Sequence, residues 1–138
     1  MKILLAADGS KYTKKALAYL TSNLAGEDDE IVVLNVQAPV PRRVQAMVGG
    51  PAVTGWHREE AEKVLAPIEK YLARHDVPYT VRWVVGSPAE EIVRAAGRDK
   101  AQMIVMGTHG HGAVGRAILG SLAQKVVTLA TVPVLLAK

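Results

Sequence analysis

A glycine-rich stretch in the second half of the chain, GTHGHGAVGRAILGS at residues 107–121, has the composition of an anion-binding loop. It contains five glycines in fifteen residues, two histidines, one arginine and no acidic residue. Glycine loses more conformational freedom on folding than other residues, so this density indicates a backbone that must approach something closely. Free N–H groups at a helix start near Gly120–Ser121, helped by charge from His109 and Arg116, would suit a phosphate.

Two known phosphate-binding motifs match this stretch only in part. Gly110–Gly115 fits the dinucleotide fingerprint G-x-G-x-x-G, which requires an acidic residue about 20 positions later for the ribose. No acidic residue follows Asp99. The same glycines have P-loop spacing, but Arg116 and Ala117 stand where a P-loop has Lys and Ser or Thr. A nicotinamide or flavin site and a P-loop are both disfavoured, which leaves the spacing Gly107-x2-Gly110-x9-Gly120-Ser121.

The charge distribution is compatible with an anionic partner. The 138-residue chain has a net charge of +4 and a pI near 9.5, and the 39 residues from Lys100 to Lys138 contain no carboxylate side chain. Solubility alone would explain the same balance, so both interpretations stay open. Aromatic residues make up only 4% and are not interleaved with basic ones, which argues against a nucleic-acid partner.

Cysteine content and hydropathy exclude further classes of protein. The chain has no cysteine, so it has no disulfide, thiol nucleophile or zinc–thiolate site. His109 and His111 have no neighbouring acid, which argues against a metal site. No apolar run approaches the roughly 18 residues of a membrane span, and we expect a cytoplasmic protein.

The elements that must position the loop alternate between strand and helix along one domain, residues 1–138. Short apolar runs predict five strands at Ile3–Ala7, Glu30–Val36, Thr80–Val85, Gln102–Met106 and Val134–Ala137. Helical spacing predicts four helices. The first is capped by Ser10 and ends near Gly26, and the second covers residues 57–75 and is kinked or interrupted by Pro67. The third is opened by a capping box at Ser87–Glu90, and the fourth covers about Gly120–Ala130. Residues 39–56, rich in Pro and Gly, have no clear period and are predicted as a long loop.

This alternation predicts an α/β fold, a parallel sheet with helices on both faces. Ligands of such sheets bind beyond the carboxyl ends of the strands, where the strand order reverses. In the order 3-2-1-4-5, Asp8 after the first strand and Gly107 after the fourth would be neighbours at that reversal.

These segments together resemble the ATP-binding branch of the universal stress protein family. The resemblance covers nearly the whole chain through ILLAADGS, VVLNV, VVGSPAEEIVRAA, QMIVMGTHGHG, LGSLAQKVV and VPVLLAK, together with the glycine spacing. It implies a single Rossmann-like domain of the adenine nucleotide alpha hydrolase-like type, with a five-stranded parallel sheet of order 3-2-1-4-5 and helices on both faces. It also implies a homodimer formed through the last strand, Val132–Lys138.

The resemblance further implies ATP or another adenine nucleotide as ligand, held by residues at three strand ends and in the loop. The implied set is Ala7, Asp8, Val36, Met106, Gly107, Thr108, His109, Gly110, Arg116, Gly120, Ser121 and Leu122. Asp8 is the residue of this set that can also hold Mg²⁺. The residues alone leave other roles open, because Asp8 suits a turn, Val36 and Met106 suit a core, and Ser121 suits a helix cap.

No arrangement of catalytic residues is evident in the sequence, and we expect binding with slow or absent ATP hydrolysis. A nucleotide-independent dimeric interaction module is the alternative, because an apolar last strand at a sheet edge invites pairing. The 39–56 loop, with Arg42 and Arg43, is interpreted as a solvated loop, a surface for an unknown protein partner, or a lid over the nucleotide.

Overall fold

The computed structural model of the chain describes residues 1–110 and 119–138, which form a five-stranded parallel sheet with the order β3-β2-β1-β4-β5. The predicted fold class and strand order are therefore confirmed. The strands begin and end within one residue of the predicted bounds: β1 (Lys2–Ala6), β2 (Glu30–Gln37), β3 (Tyr79–Val85), β4 (Met103–Gly107) and β5 (Val134–Ala137).

Alternating side chains of the strands pack into a separate core on each face of the sheet. In β1, Ile3 and Leu5 belong to the core on one face, whereas Leu4 belongs to the core on the other. All three side chains are fully buried. Because helices cover both faces, β1 and β2 have near-continuous apolar sequences.

Two helices cover each face, and one further short helix lies outside both cores. The helices are α1 (Lys11–Tyr19, continued by a π-helical turn at Leu20–Leu24), α2 (Arg42–Val48), α3 (Gly50–Leu72), α4 (Pro88–Arg98) and α5 (Ser121–Leu129). Residues of α1 and α3 pack in the core of Ile3 and Leu5, and residues of α4 and α5 pack in the core of Leu4.

The predicted helix starts are confirmed for α1 and α4, although the capping hydrogen bonds differ. The Ser10 hydroxyl accepts a hydrogen bond from the backbone N–H of Thr13 at 3.4 Å. Ser87 precedes α4 as expected, with Pro88 at the first helical position, but its side chain makes no capping hydrogen bond. The capping-box hydrogen bond was therefore wrongly predicted, and the fixed φ of Pro88 is the helix-start signal that the structure uses.

The predicted loop at residues 39–56 is wrong, because the structure has α2 and the first turns of α3 there. Every residue of α2 is exposed, so its apolar residues form no buried stripe for periodicity to detect. The prolines and glycines mark helix boundaries instead. Pro41 precedes α2, Gly49 with φ 88° separates the two helices, and a proline occupies the first turn of α3.

Of the predicted kink or interruption at Pro67, the interruption is wrong, because α3 runs through it to Leu72. A proline in a helix interior removes one backbone hydrogen bond and costs about 3 kcal/mol. Burial of a large apolar side chain contributes roughly 1.5–3 kcal/mol, and α3 buries Leu65, Ile68 and Leu72 against the sheet. Packing therefore outweighs the local cost.

The topology brings the ends of β1 and β4 together at the reversal of strand order. β1 pairs with β2 on one side and with β4 on the other. Asp8 and Gly107 therefore lie at neighbouring strand ends, as predicted from the strand order. Among the described residues, no helix is long and apolar enough to cross a membrane.

Candidate functional site

A cavity of about 370 Å³ lies at the carboxyl ends of β1, β2 and β4, between the first turns of α4 and α5. This volume falls within the roughly 300–1,000 Å³ typical of small-molecule sites. Its position is the one expected for ligands of a doubly wound parallel sheet. The cavity is lined by Ala6, Ala7, Asp8, Thr13, Leu34, Val36, Pro88, Ile92, Met106, Gly107, His109, Gly110, Leu119, Gly120, Ser121, Leu122 and Ala123.

One side of the cavity is an apolar slot formed by β2 and α4. Leu34 and Val36 are two residues apart in β2, so both side chains point to the face of the sheet that α4 covers. Pro88 and Ile92 lie four residues apart on α4, which places both on the helix surface above β2. The slot has no charged lining residue and suits a flat apolar group.

The opposite side presents the carboxylate of Asp8 in a fixed orientation. Its Oδ1 accepts hydrogen bonds from the backbone N–H of Ser10 at 2.9 Å and from the hydroxyl of Thr13 at 2.8 Å. The turn to α1 therefore holds the carboxylate against the cavity wall. Asp8 is the one acidic residue among the described lining residues.

Buried polar side chains fix the strand ends beneath Asp8. The Asn35 side chain donates a hydrogen bond to the Ala7 carbonyl at 2.8 Å, and the Ala7 N–H donates to Leu34 O at 2.9 Å. Gln37 donates to the side chain of Asn35 and to the carbonyl of His57 in α3. Since buried backbone groups need partners, these contacts hold the ends of β1 and β2 in place.

The first turn of α5 faces the cavity with uncapped N–H groups. Gly120 is the N-cap residue, and no side chain of residues 1–110 or 119–138 caps this helix. Ser121, Leu122 and Ala123 line the cavity directly after it. The first N–H groups of a helix have no intrahelical acceptor and carry the positive end of the helix dipole, so they can bind an anion.

The three glycines of the predicted spacing each lie against protein atoms. A Cβ on Gly107 would clash with the Cβ of Tyr12 in α1, and one on Gly110 would lie 2.6 Å from Asp8 Oδ2. A Cβ on Gly120 would lie 3.1 Å from the Thr108 carbonyl, which accepts the Gly120 N–H at 2.7 Å. Packing against α1 therefore requires Gly107 whether or not a ligand is bound, whereas a side chain at Gly110 would press on the Asp8 carboxylate and one at Gly120 would crowd the Thr108 carbonyl.

The structure brings most of the predicted site residues to the cavity wall. Those that line it are Ala7, Asp8, Val36, Met106, Gly107, His109, Gly110, Gly120, Ser121 and Leu122. Thr108 is buried outside the lining, and its hydroxyl lies 3.0 Å from His109 Nδ1. Arg116 and His111 fall in residues 111–118, outside the described residues.

The lining also contains residues that the sequence interpretation missed. Leu34 faces the cavity because it shares a strand face with Val36, which a period of two along β2 would have indicated. Pro88 and Ile92 reach it from α4, whose placement depends on the tertiary fold. Among the described residues, no group of three His, Asp or Glu side chains is arranged to hold a metal ion.

Comparison with known proteins decides the family, because residues 1–138 match the family described as the universal stress protein family. The chain belongs to this family. A Thermus aquaticus relative, the "universal stress protein in QAH/OAS sulfhydrylase 3'region", is 40% identical over 137 residues, which cover 99% of this chain and 97% of the relative. The predicted resemblance is thereby confirmed.

Solved structures agree with this assignment. MJ0577 of Methanocaldococcus jannaschii, which is also named a universal stress protein, has 29% sequence identity and a TM-score of 0.85, covering 99% of this chain and 94% of that chain. A universal stress protein family protein from Arabidopsis thaliana with AMP bound has 18% identity and a TM-score of 0.71, covering 100% and 91% of the respective chains. At that identity, the Arabidopsis structure establishes only a shared fold.

The Gly107 contact generates a stability prediction for this universal stress protein. Gly107→Ala should lower the free energy of unfolding by about 1–3 kcal/mol, because the new methyl group overlaps the backbone and Cβ of Tyr12. Gly97→Ala is the matched control, since Gly97 lies in α4 with no atom within 4 Å of a built Cβ. That control should be neutral or stabilising by up to about 1 kcal/mol. Equal effects of both substitutions in urea denaturation would contradict the assigned contact.

Proposed function

We propose that this universal stress protein binds an adenine nucleotide in the cavity at the ends of β1, β2 and β4. The observation that carries the proposal is the pairing of an uncharged apolar slot with the uncapped first turn of α5 in one cavity. An adenine nucleotide has the same two parts, a flat base and an anionic phosphate chain. The cavity therefore fits both ends of this ligand.

The base end of the ligand is assigned to the apolar slot. Leu34 and Val36 would contact one face of the adenine ring, and Pro88 and Ile92 would contact the other. Burying apolar surface contributes about 25 cal/mol per Å², so this slot supplies affinity without selecting a particular phosphate chain.

The phosphate end is assigned to the loop and the first turn of α5. The N–H groups of Ser121 and Leu122 and the hydroxyl of Ser121 are donors there. The backbone of Gly107 and Gly110, which both line the cavity, is assigned to the ribose and the first phosphate. Arg116 retains its predicted role as a phosphate ligand.

Asp8 is assigned to the sugar or to the amine of the base. Its carboxylate is oriented by Ser10 and Thr13, so it can accept a hydrogen bond from a ribose hydroxyl or from the adenine amine. Asp8 can also bind Mg²⁺ carried by the nucleotide, since carboxylate oxygens are preferred Mg²⁺ ligands. An Arabidopsis protein of the same fold has AMP bound, which makes an adenine nucleotide the first ligand class to test here.

Nucleotide binding is tested with a substitution that fills the slot. The wild-type protein should release an adenine nucleotide on denaturation, or bind ATP–Mg²⁺ after stripping, with weaker binding of GTP. Val36→Trp should lower ATP affinity at least about tenfold, because the indole occupies the slot. Val85→Trp is the matched control, because Val85 also ends a strand and is 40% exposed but lies outside the cavity.

Calorimetric titration of the stripped proteins separates the outcomes. An equal loss of ATP affinity in Val36→Trp and Val85→Trp would contradict the assignment of the nucleotide to this cavity. No binding of any nucleotide by the wild-type protein would favour the alternative, a nucleotide-independent dimeric interaction module.

Hydrolysis should be slow or absent. A hydrolase needs a base that orients water, and the one acid described in the cavity, Asp8, already accepts hydrogen bonds from Ser10 and Thr13 through Oδ1. Phosphate release by the ATP-loaded protein should lie far below the roughly 10 s⁻¹ of a typical enzyme. A turnover of that size, reduced by Asp8→Asn, would overturn the assignment as a binding protein.

We further propose a homodimer formed through β5 and its flanking residues, Val132–Lys138. β5 is an edge strand of the sheet, and beside it a surface groove is lined by Tyr19 and Leu135. Unpaired edge strands favour pairing with another chain. The carbonyls of Pro133 and Ala137 accept hydrogen bonds from the β4 side, so the backbone groups of these residues point towards β4. Successive residues of a strand point their backbone groups to opposite sides, so the N–H and C=O of Leu136 point away from the sheet, where a second chain could pair with them.

The dimer is tested at both edges of the sheet. Leu136→Pro removes an outward N–H of β5 and should shift the sedimenting species from twice 14.7 kDa towards 14.7 kDa. Val85→Pro is the control at the other edge strand, β3. The Gly86 N–H donates to β2, so the N–H of Val85 points to the unpaired side of β3, as that of Leu136 does in β5. A wild-type monomer, or equal dissociation of both variants with unchanged circular dichroism, would contradict the β5 interface.

A further inference from the structure

An apolar stripe on α2, formed by Val44, Met47 and Val48, stays at the surface of the folded chain. The three residues stand at positions i, i+3 and i+4, which are neighbours on one side of a helix. Met47 is 80% exposed, Val48 54% and Val44 39%, and every other residue of α2 is exposed as well. Adjoining exposed apolar side chains, unlike single ones, mark sites where another molecule binds.

The chain around the α2 stripe carries positive charge only. From Ile31 to Arg58 the sequence contains Arg42, Arg43 and Arg58 but no lysine and no acidic residue. All three arginines are exposed, and within residues 1–110 and 119–138 none of them forms an ion pair. A molecule that covers the α2 stripe therefore meets these guanidinium groups, and their electrostatic complement is a carboxylate.

The residue types favour a protein over a lipid surface as the partner. Arg, Met and Trp are enriched in protein interfaces, whereas Lys, Glu and Asp are depleted. This segment has that composition, since its cations are all arginine and Trp56, in the second turn of α3, is 48% exposed. Attachment of a basic segment to anionic lipid takes a cluster of roughly four to eight Lys or Arg residues.

The distribution of charge around α2 favours a groove over a flat surface. Residues two apart on a helix point about 200° away from each other, so Arg42 lies on the side opposite Val44. A flat surface reaches one of these sides, whereas a groove that takes the helix encloses both. Helices bound in grooves present anchors at i, i+3 and i+4, which is the spacing of the α2 stripe.

A second copy of this chain is a poor complement to α2. The surface groove that the copy would offer beside β5 is lined by Lys15 and Lys138, and these ammonium groups repel the arginines. The partner is therefore a different protein, with carboxylates at the rim of its groove.

We propose that α2 is a docking helix for a partner protein, which holds the α2 stripe in an apolar groove bordered by carboxylates. Arg42 and Arg43 pair with the carboxylates at the rim, and Met47, the most exposed residue of the stripe, enters the centre of the groove. Among the described residues that line the nucleotide cavity, none belongs to α2. The docking surface is thus separate from the nucleotide site and does not depend on it.

The test uses the full-length protein and a model groove of stated composition. The probe is a helical hairpin peptide with leucines along its groove and glutamates on both rims, and its twin has lysines in place of the glutamates. In fluorescence anisotropy, the wild-type protein should bind the lysine twin at least about tenfold more weakly than the glutamate hairpin, because like charges face each other. Salt should weaken binding of the glutamate hairpin, since exposed charges are screened.

The apolar anchor is tested at Met47. Met47→Glu should weaken binding of the glutamate hairpin at least about tenfold, because it removes the central anchor and adds a repelling charge. Val127→Glu is the matched control, because Val127 is 47% exposed on α5 and the change in charge is the same. The control should bind like the wild-type protein, and both variants should keep its circular dichroism.

The charged rim is tested with arginine substitutions. Arg42→Gln combined with Arg43→Gln should weaken binding about fivefold, the effect of two exposed ion pairs. Arg74→Gln combined with Arg98→Gln removes the same charge from exposed positions elsewhere and should leave binding unchanged.

The remaining outcomes contradict the docking helix or reassign it. Failure of the wild-type protein to bind the glutamate hairpin, equal binding of the two hairpins, or equal effects of a variant and its control would overturn the proposal. Binding to phosphatidylglycerol vesicles that Met47→Glu alone abolishes would reassign α2 to a lipid surface. Sedimenting species larger than a dimer that Met47→Glu alone abolishes would reassign it to a second copy.

Discussion

The close approach of three backbone segments at the end of β4 is the constraint on which the rest of the site depends. Gly107 contacts Tyr12 at the start of α1, Gly110 contacts Asp8 at the end of β1, and Gly120 contacts Thr108 at the end of β4. Any side chain at these positions would displace a neighbour. These contacts bring an acid, a loop and a helix start together around one cavity. The sheet supplies the frame, since β1 lies between β2 and β4 at the reversal of strand order.

Strand positions were predictable because they depend on short-range patterns, whereas the strand order followed from the resemblance to the family. β1 and β2 are apolar over nearly their full length, and only a parallel sheet covered on both faces buries such strands. The alternation of strands and helices then limits the connections. Part of the cavity wall followed from that strand order, in which Asp8 and Gly107 end neighbouring strands.

Features that depend on tertiary contacts were not predictable from the sequence. α2 buries none of its residues, so no periodic stripe marks it, and the prolines and glycines around it were mistaken for loop residues. Pro67 is tolerated in α3 because the buried side chains around it outweigh one lost hydrogen bond. Pro88 and Ile92 enter the cavity only because α4 crosses β2. The contacts of the glycines with Tyr12, Asp8 and Thr108 likewise join residues far apart in the sequence.

The structural role of the glycines changes what their presence implies about function. A family member that lost nucleotide binding would still need a small residue at Gly107 to keep α1 in place, so this glycine alone does not establish a binding site. The informative features are those that the fold does not need. The first turn of α5, which lines the cavity, has no cap from any side chain of the described residues. An anion bound at this turn would accept hydrogen bonds from these N–H groups at the positive end of the helix dipole, which is why the turn supports a phosphate-bearing ligand more strongly than the glycines do.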